Sequence, residues 1–128
     1  MAMRRVIKVG TSLLRGQEGR STEQVIGDLA TSLCGLWQRG EPVVLVTSGA
    51  VGLGCHALGQ SSRPSEVEAL QAAAAVGQGR LMTLYDQAFG LHNRCVAQVL
   101  LTRGDLASRR RYQSACRTLE QLLAWGVT

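Results

Sequence analysis

The sequence predicts an α/β fold, a three-layer α-β-α sandwich with a mostly parallel sheet, and three observations carry that expectation. Short apolar runs, Arg5-Val6-Ile7-Lys8-Val9, Val43-Val44-Leu45-Val46 and Cys95 to Leu101, alternate with longer segments of helical periodicity. Each of the first two runs ends in a glycine-containing turn. The segments between runs are long enough for the helical crossovers that parallel strands require. The chain has 128 residues, the length of one ordinary domain.

The elements follow in order. Arg5 to Val9 is short, rich in β-branched residues and stopped by Gly10, so it reads as a buried strand. Gly10 to Arg20 reads as a loop carrying Gly10, Gly16 and Gly19. Ser21 is an N-cap, with Gln24 at the capping-box position. Val25, Leu29, Leu33 and Leu36 then share one face of a helix running to about Arg39, and Gly40 supplies its left-handed stop. Val43 to Val46, after Pro42, is a second buried strand that runs into Thr47-Ser48-Gly49-Ala50. A short helix to about Leu58 is closed by Gly59, and Gln60 to Arg63 is a polar link. Pro64 suits the first turn of the next helix. Leu70 to Val76 and Leu81 to Phe89 read as helical, with a break expected near Gly77-Gln78-Gly79.

Cys95 to Leu101 is the expected third strand, and Thr102 to Asp105 a loop in which Asp105 is an N-terminal helix charge. The last helix spans about Ser108 to Trp125, with Leu119, Leu122 and Leu123 as its apolar stripe and Gly126 as its cap. Val127-Thr128 reads as the start of a further strand. Parallel sheets bury both faces and usually continue past three strands. A truncated domain is therefore expected, with an apolar sheet edge exposed and a tendency to self-associate.

Composition excludes several classes. No uninterrupted apolar stretch reaches the ~18 residues of a membrane span. Met1-Ala2-Met3-Arg4-Arg5 lacks the apolar run of a signal peptide, so a cytoplasmic protein with no membrane partner is expected. The net charge of +5 is spread along the chain. Its one cluster, Arg109-Arg110-Arg111, has no interleaved aromatics and reads as a solvated helix face, so no nucleic-acid partner is expected. Cys34, Cys55, Cys95 and Cys116 form no CxxC pair and have no histidine at ligand spacing; they read as small core residues, with no metal site. His56 and His92 are isolated. Lys8 is the single lysine in an arginine-rich chain. Arginine cannot replace lysine where a compact charge on a flexible stem is needed.

Three motifs carry chemistry. Lys8-Val9-Gly10-Thr11-Ser12 lies at a strand-to-loop junction, and open α/β sheets bind ligands beyond the carboxyl ends of their strands. Gly10 allows close backbone approach, Thr11 and Ser12 offer hydroxyls, and Lys8 brings positive charge, a set suited to phosphate. It is not a P-loop, because the lysine precedes the glycine. The second motif is Val46-Thr47-Ser48-Gly49-Ala50-Val51-Gly52, where a helix N-terminus suits a carboxylate or phosphate. Its glycine order does not match the dinucleotide fingerprint. The third, Ala72 to Gln78, is a run of small residues and reads as a tight helix–helix or subunit contact.

Taken with Gln98-Val99-Leu100-Leu101-Thr102-Arg103, these motifs resemble, in order and spacing, the glutamate 5-kinase branch of the amino acid kinase family. The resemblance covers essentially the whole chain. Relatives in other branches tend to carry a second glycine where Thr11 stands. The resemblance implies transfer of the ATP γ-phosphoryl group to the side-chain carboxylate of L-glutamate, the first step of proline biosynthesis, with Mg²⁺ accompanying the ATP. It implies that Lys8 binds ATP and is catalytic, that Gly10, Thr11 and Ser12 line the phosphate path, and that Ser48, Gly49 and Ala50 hold glutamate. It also implies a homo-oligomer at full length. Residues 1–128 would form the substrate-side part of the kinase domain, with the ATP-binding half and any PUA domain absent and the chain inactive alone. A related kinase with another acceptor and a non-catalytic assembly fragment are the alternatives.

Overall fold

The computed structural model describes residues 3–15 and 19–128. Met1, Ala2 and Gly16, used in the sequence reading, lie outside the described residues. The elements are β1 (Arg5–Val9), α1 (Thr11–Leu14), α2 (Thr22–Gln38), β2 (Val43–Thr47), α3 (Ala50–Ala57), α4 (Val67–Gly90), α5 (Arg103–Ala107) and α6 (Arg109–Ala124). β1 and β2 pair in parallel, with Arg5 opposite Val43 and Val9 opposite Thr47.

That register decides what the sheet covers. Side chains alternate along a strand, so Ile7, Val9, Val43 and Leu45 share one face. Against it pack Ile26, Ala30 and Leu33 of α2 and Leu81, Tyr85 and Phe89 of α4. Ser21 starts α2 as expected: its hydroxyl accepts from the Gln24 N–H, and the Gln24 side chain accepts from the Ser21 N–H. Gly40 takes the left-handed conformation just after the helix, at φ 76°. Cys34 and Cys55 are buried, whereas Cys95 is exposed and so is not the core residue expected.

The opposite face corrects the expectation of two fully buried strands. Val6 is 69% exposed and Val46 47% exposed. Two layers, the sheet and the α2–α4 layer, are tightly packed. The apolar stripe of α6 approaches without sealing the rest. Leu119, Leu122 and Leu123 line a cavity of about 400 Å³ whose other walls include β2 and the segment Ala97 to Leu101.

The same gap explains the missing third strand. Cys95 to Leu101 has no regular secondary structure and no ladder to β2, and a strand exists only where a neighbour accepts its hydrogen bonds. One pairing does form. The Thr128 N–H donates to the Cys95 carbonyl at 3.2 Å, and the Ala97 N–H donates to the Thr128 carbonyl at 3.0 Å. These two bonds flank Val96 as a parallel ladder does, so Val127-Thr128 does take strand-like pairing. The Trp37 indole N–H donates to the Thr128 hydroxyl at 2.8 Å, and the Arg94 guanidinium lies 4.3 Å from the Trp37 ring centre while donating to the Gly126 carbonyl. This cation–π clamp ties the last residues to α2.

Three helical expectations change. α4 runs unbroken through Gly77-Gln78-Gly79. Packing overrides glycine's poor helix propensity here, because Gly77 is needed where α4 meets α3. Pro64 lies ahead of the helix, whose N-cap is Glu66. Thr11–Leu14 and Arg103–Ala107, both expected as loop, form short helices. In the second, the Thr102 hydroxyl accepts from the Asp105 N–H and the Asp105 carboxylate accepts from the Thr102 N–H. Asp105 is thus the N-terminal helix charge the sequence suggested.

The Thr102 N–H bond, then the Thr102 hydroxyl, hold the Asp105 carboxyl below its usual pKa. Arg5 holds Glu41 low in the same way. A lowered folded pKa gives stability that is complete above the ordinary carboxylate value of about 4 and is lost as pH falls through the folded value. Helix content followed by circular dichroism should therefore stay level from neutrality to about pH 5 and fall below about pH 4. Asp105→Asn should flatten part of that acid slope, and an unchanged slope in the variant would contradict the assignment.

Candidate active site

Because Val9 pairs with Thr47, the chain leaves β1 and β2 side by side on the same sheet edge. The two glycine-containing motifs, far apart in sequence, meet there. The Ser48 N–H donates to the Val9 carbonyl at 3.2 Å, and the Ser48 hydroxyl donates to that same oxygen at 3.3 Å. The Thr11 and Ser48 hydroxyl oxygens are 2.9 Å apart. A hydroxyl has one proton to give. With the Ser48 proton on Val9, Thr11 is the donor to Ser48.

Gly49 is the N-cap of α3 at φ 109°, a conformation side-chain-bearing residues rarely adopt. A Cβ there would also lie 2.9 Å from the Leu14 Cδ1 atom. No side chain caps α3, so the N–H groups of its first turn, beginning at Ala50, are free of side-chain acceptors. Such groups, carried on a helix with its positive end at the site, suit a carboxylate or phosphate. Gly10 differs. Its φ of −83° is open to any residue, and no atom lies within 4 Å of where its Cβ would stand. The space over Gly10 is open, so glycine leaves room there rather than relieving strain.

Lys8 is exposed on the open face of the sheet, opposite Val46 in the register. Among the described residues it forms no ion pair, so its charge is not spent on a protein carboxylate. Ser12 is exposed on α1, next to Thr11. Of the residues singled out from sequence, Thr11, Ser48, Gly49 and Ala50 are thus gathered by direct bonding and chain continuity. Lys8 and Ser12 lie in the same motif as Thr11, and among the described residues their side chains have no hydrogen-bond or ion-pair partner. A cavity of about 420 Å³ adjoins this junction, with Thr11, Arg15, Glu23, Gly49, Gly52 and His56 on its walls. His56, which had no partner in the sequence reading, therefore lies near the site. Among the described residues no cluster of His, Cys, Asp and Glu is placed to hold a metal.

Two supporting features escaped the sequence reading, and a third was read there as a tight contact without its partner. The Thr47 hydroxyl lies 2.7 Å from the Tyr85 hydroxyl and donates to the Ser48 carbonyl at 3.1 Å. Leu14 packs under Gly49. Gly54 and Gly77 let α3 and α4 touch backbone to backbone: a Cβ on Gly54 would fall 1.7 Å from the Ala73 carbonyl oxygen, and one on Gly77 1.6 Å from that of Ala50. The small-residue run Ala72 to Gln78 is therefore a helix–helix contact within the chain. Only that run had a sequence signal. Nothing local links Tyr85 or Leu14 to the site.

The model of the amino acid kinase family matches residues 3–128. The chain belongs to the amino acid kinase family. Membership accounts for the parallel α/β arrangement. Among family relatives, the glutamate 5-kinase of Prochlorococcus marinus (strain MIT 9313) is 60% identical over 122 residues, which are 95% of this chain and 34% of that protein. The glutamate 5-kinase of Synechococcus sp. (strain CC9605) is 61% identical over 95% of this chain and 33% of its own length. That of Prochlorococcus marinus (strain NATL2A) is 49% identical over the same share of this chain. The chain spans about a third of the length of the curated relatives it matches.

Proposed function

We propose that this chain supplies the acceptor-side part of a glutamate 5-kinase active site. The reading is supported above all by the bonded junction of Thr11 with Ser48 beside the uncapped N-terminus of α3, in a chain 60% identical to a glutamate 5-kinase. In this reading the Ser48 hydroxyl turns its proton from the Val9 carbonyl, which keeps its bond from the Ser48 N–H, to the side-chain carboxylate of L-glutamate, which the N–H groups of Gly49 and Ala50 also hold. One carboxylate oxygen attacks the γ-phosphorus of ATP, the bond from that phosphorus to the β,γ-bridging oxygen breaks, and glutamyl 5-phosphate and ADP result. Gly10, Thr11 and Ser12 line the path of the transferring group. Lys8 binds ATP and offsets the negative charge on the equatorial oxygens, the kind of stabilisation on which phosphoryl transfer chiefly depends.

Mg²⁺ enters bound to the ATP phosphates. The protein acts in the cytoplasm as a homo-oligomer. No helix described is long and apolar enough to cross a membrane.

The test is a chimera in which residues 3–128 replace the matching third of the Prochlorococcus relative, assayed for ADP release over a panel of carboxylate acceptors. L-Glutamate should be preferred over L-aspartate and N-acetyl-L-glutamate. Ser48→Ala should raise the glutamate KM about tenfold, as for a lost hydrogen bond to a charged group, with a smaller change in kcat. Preference for another acceptor would support a related kinase instead. No turnover with any acceptor, from a chimera that folds, would overturn the kinase reading.

A further inference from the structure

Resting on that acceptor reading, we infer that Tyr85 and Thr47 form a half-buried lock that sets the orientation of the Ser48–Gly49 peptide and so aims the Gly49 N–H at the acceptor. Tyr85 belongs to α4 and is 3% exposed. Its hydroxyl reaches Thr47, the last residue of β2, at 2.7 Å.

One assignment of the protons satisfies both Thr47 contacts. The Thr47 hydroxyl gives its one hydrogen to the Ser48 carbonyl. Its oxygen is then left as an acceptor, so Tyr85 is the donor. Burial pushes the Tyr85 phenol pKa up, which keeps the donor protonated at physiological pH. The relay runs from the Tyr85 O–H to the Thr47 O–H to the Ser48 carbonyl.

The consequence lies in the next bond. Among the described residues there is no cis peptide, and in a trans peptide the C=O and the following N–H point in opposite directions. Holding the Ser48 carbonyl toward Thr47 therefore turns the Gly49 N–H away from Thr47 and Tyr85. The positive φ of Gly49 is part of the same arrangement. Without the relay, rotation of this one peptide would exchange an N–H for a carbonyl oxygen at the site, and a carbonyl repels a carboxylate. Tyr85 touches no substrate in this account. It is a positioning residue acting through Thr47 and Ser48.

The test uses the chimera described above. Tyr85→Phe keeps the ring and removes only the donor. It should raise the glutamate KM about five- to tenfold, of the order expected for weakening one bond to a charged group, while the ATP KM changes less than twofold. Thr47→Val should do the same, and Thr47→Ser, which keeps the hydroxyl, should restore most of the wild-type value. The Tyr85→Phe, Thr47→Val double variant should be no worse than either alone, because both break one relay.

A thermal melt accompanies each variant. A glutamate KM unchanged in Tyr85→Phe while Ser48→Ala raises it would overturn the lock and leave the acceptor reading standing. An equal rise in both substrates' KM, or failure of Thr47→Ser to restore, would also overturn it, as a general structural effect. An unchanged glutamate KM in Ser48→Ala itself would instead sink the acceptor reading on which the lock rests. If Tyr85→Phe does not fold, the Thr47→Val and Thr47→Ser pair decides by the same criteria.

Discussion

Gly77→Ala should lower the stability of the chain by about 3 kcal/mol, near the upper end for overpacking. The new Cβ would stand 1.6 Å from the Ala50 carbonyl oxygen and 2.6 Å from the Gly54 nitrogen. Both are backbone atoms of α3, so no side-chain rotation relieves the clash. Either α3 moves off α4 or one of them unwinds. Because Ala50 follows Ser48 and Gly49 directly, the strain falls on the candidate acceptor loop as well as on the fold. Gly79→Ala is the control, two residues along the same helix. It is exposed and its Cβ would meet nothing within 4 Å. It should stabilise by up to about 1 kcal/mol through helix propensity alone. Urea unfolding midpoints of the two variants should thus move in opposite directions. Similar midpoints would mean that the two helices do not meet as closely as described.

Lys8→Ala should cut turnover of the glutamate 5-kinase chimera by about a hundred- to a thousandfold, the scale seen when one charge-stabilising donor is removed from a reaction centre. The glutamate KM should change little, because in the proposed reaction the ammonium acts on the transferring phosphoryl group rather than on the acceptor. Lys8 is exposed and forms no ion pair among the described residues. Its removal should therefore shift stability by no more than about 0.5 kcal/mol, as for an ordinary surface substitution. Lys8→Arg should not restore turnover, since a planar fork on a longer stem cannot take the place of a compact charge. Steady-state kinetics beside a melting curve separates the effects. A kcat within threefold of wild type would remove Lys8 from the chemistry.

The candidate site was partly legible. Ser21 and Gln24 announced the start of α2, and the glycines after β1 and β2 marked where the candidate ligand loops leave the sheet. These signals are local, set by capping and turn chemistry within a few residues. The pairing of Val9 with Thr47 is not local, and an expected mostly parallel sheet names neither the neighbouring strands nor their register. Tyr85 was invisible because it stands 38 residues from Thr47. Its meaning depends on which face of α4 meets the sheet. The misplaced break at Gly77 has the same origin. Glycine weakens an isolated helix, but here only a residue without a side chain lets α3 and α4 touch.

The sequence by itself determined the family, the alternation of strand and helix, and the placing of Lys8, Thr11, Ser48 and Gly49 at strand ends. Periodicity, caps and turn residues act over a few positions and can be read along the chain. Only the tertiary structure decided that Thr11 bonds to Ser48, that Tyr85 reaches the candidate acceptor loop through Thr47, and that one face of the sheet stays open. Hydrogen-bond partners and burial depend on distances between segments remote in sequence, and packing alone sets those distances.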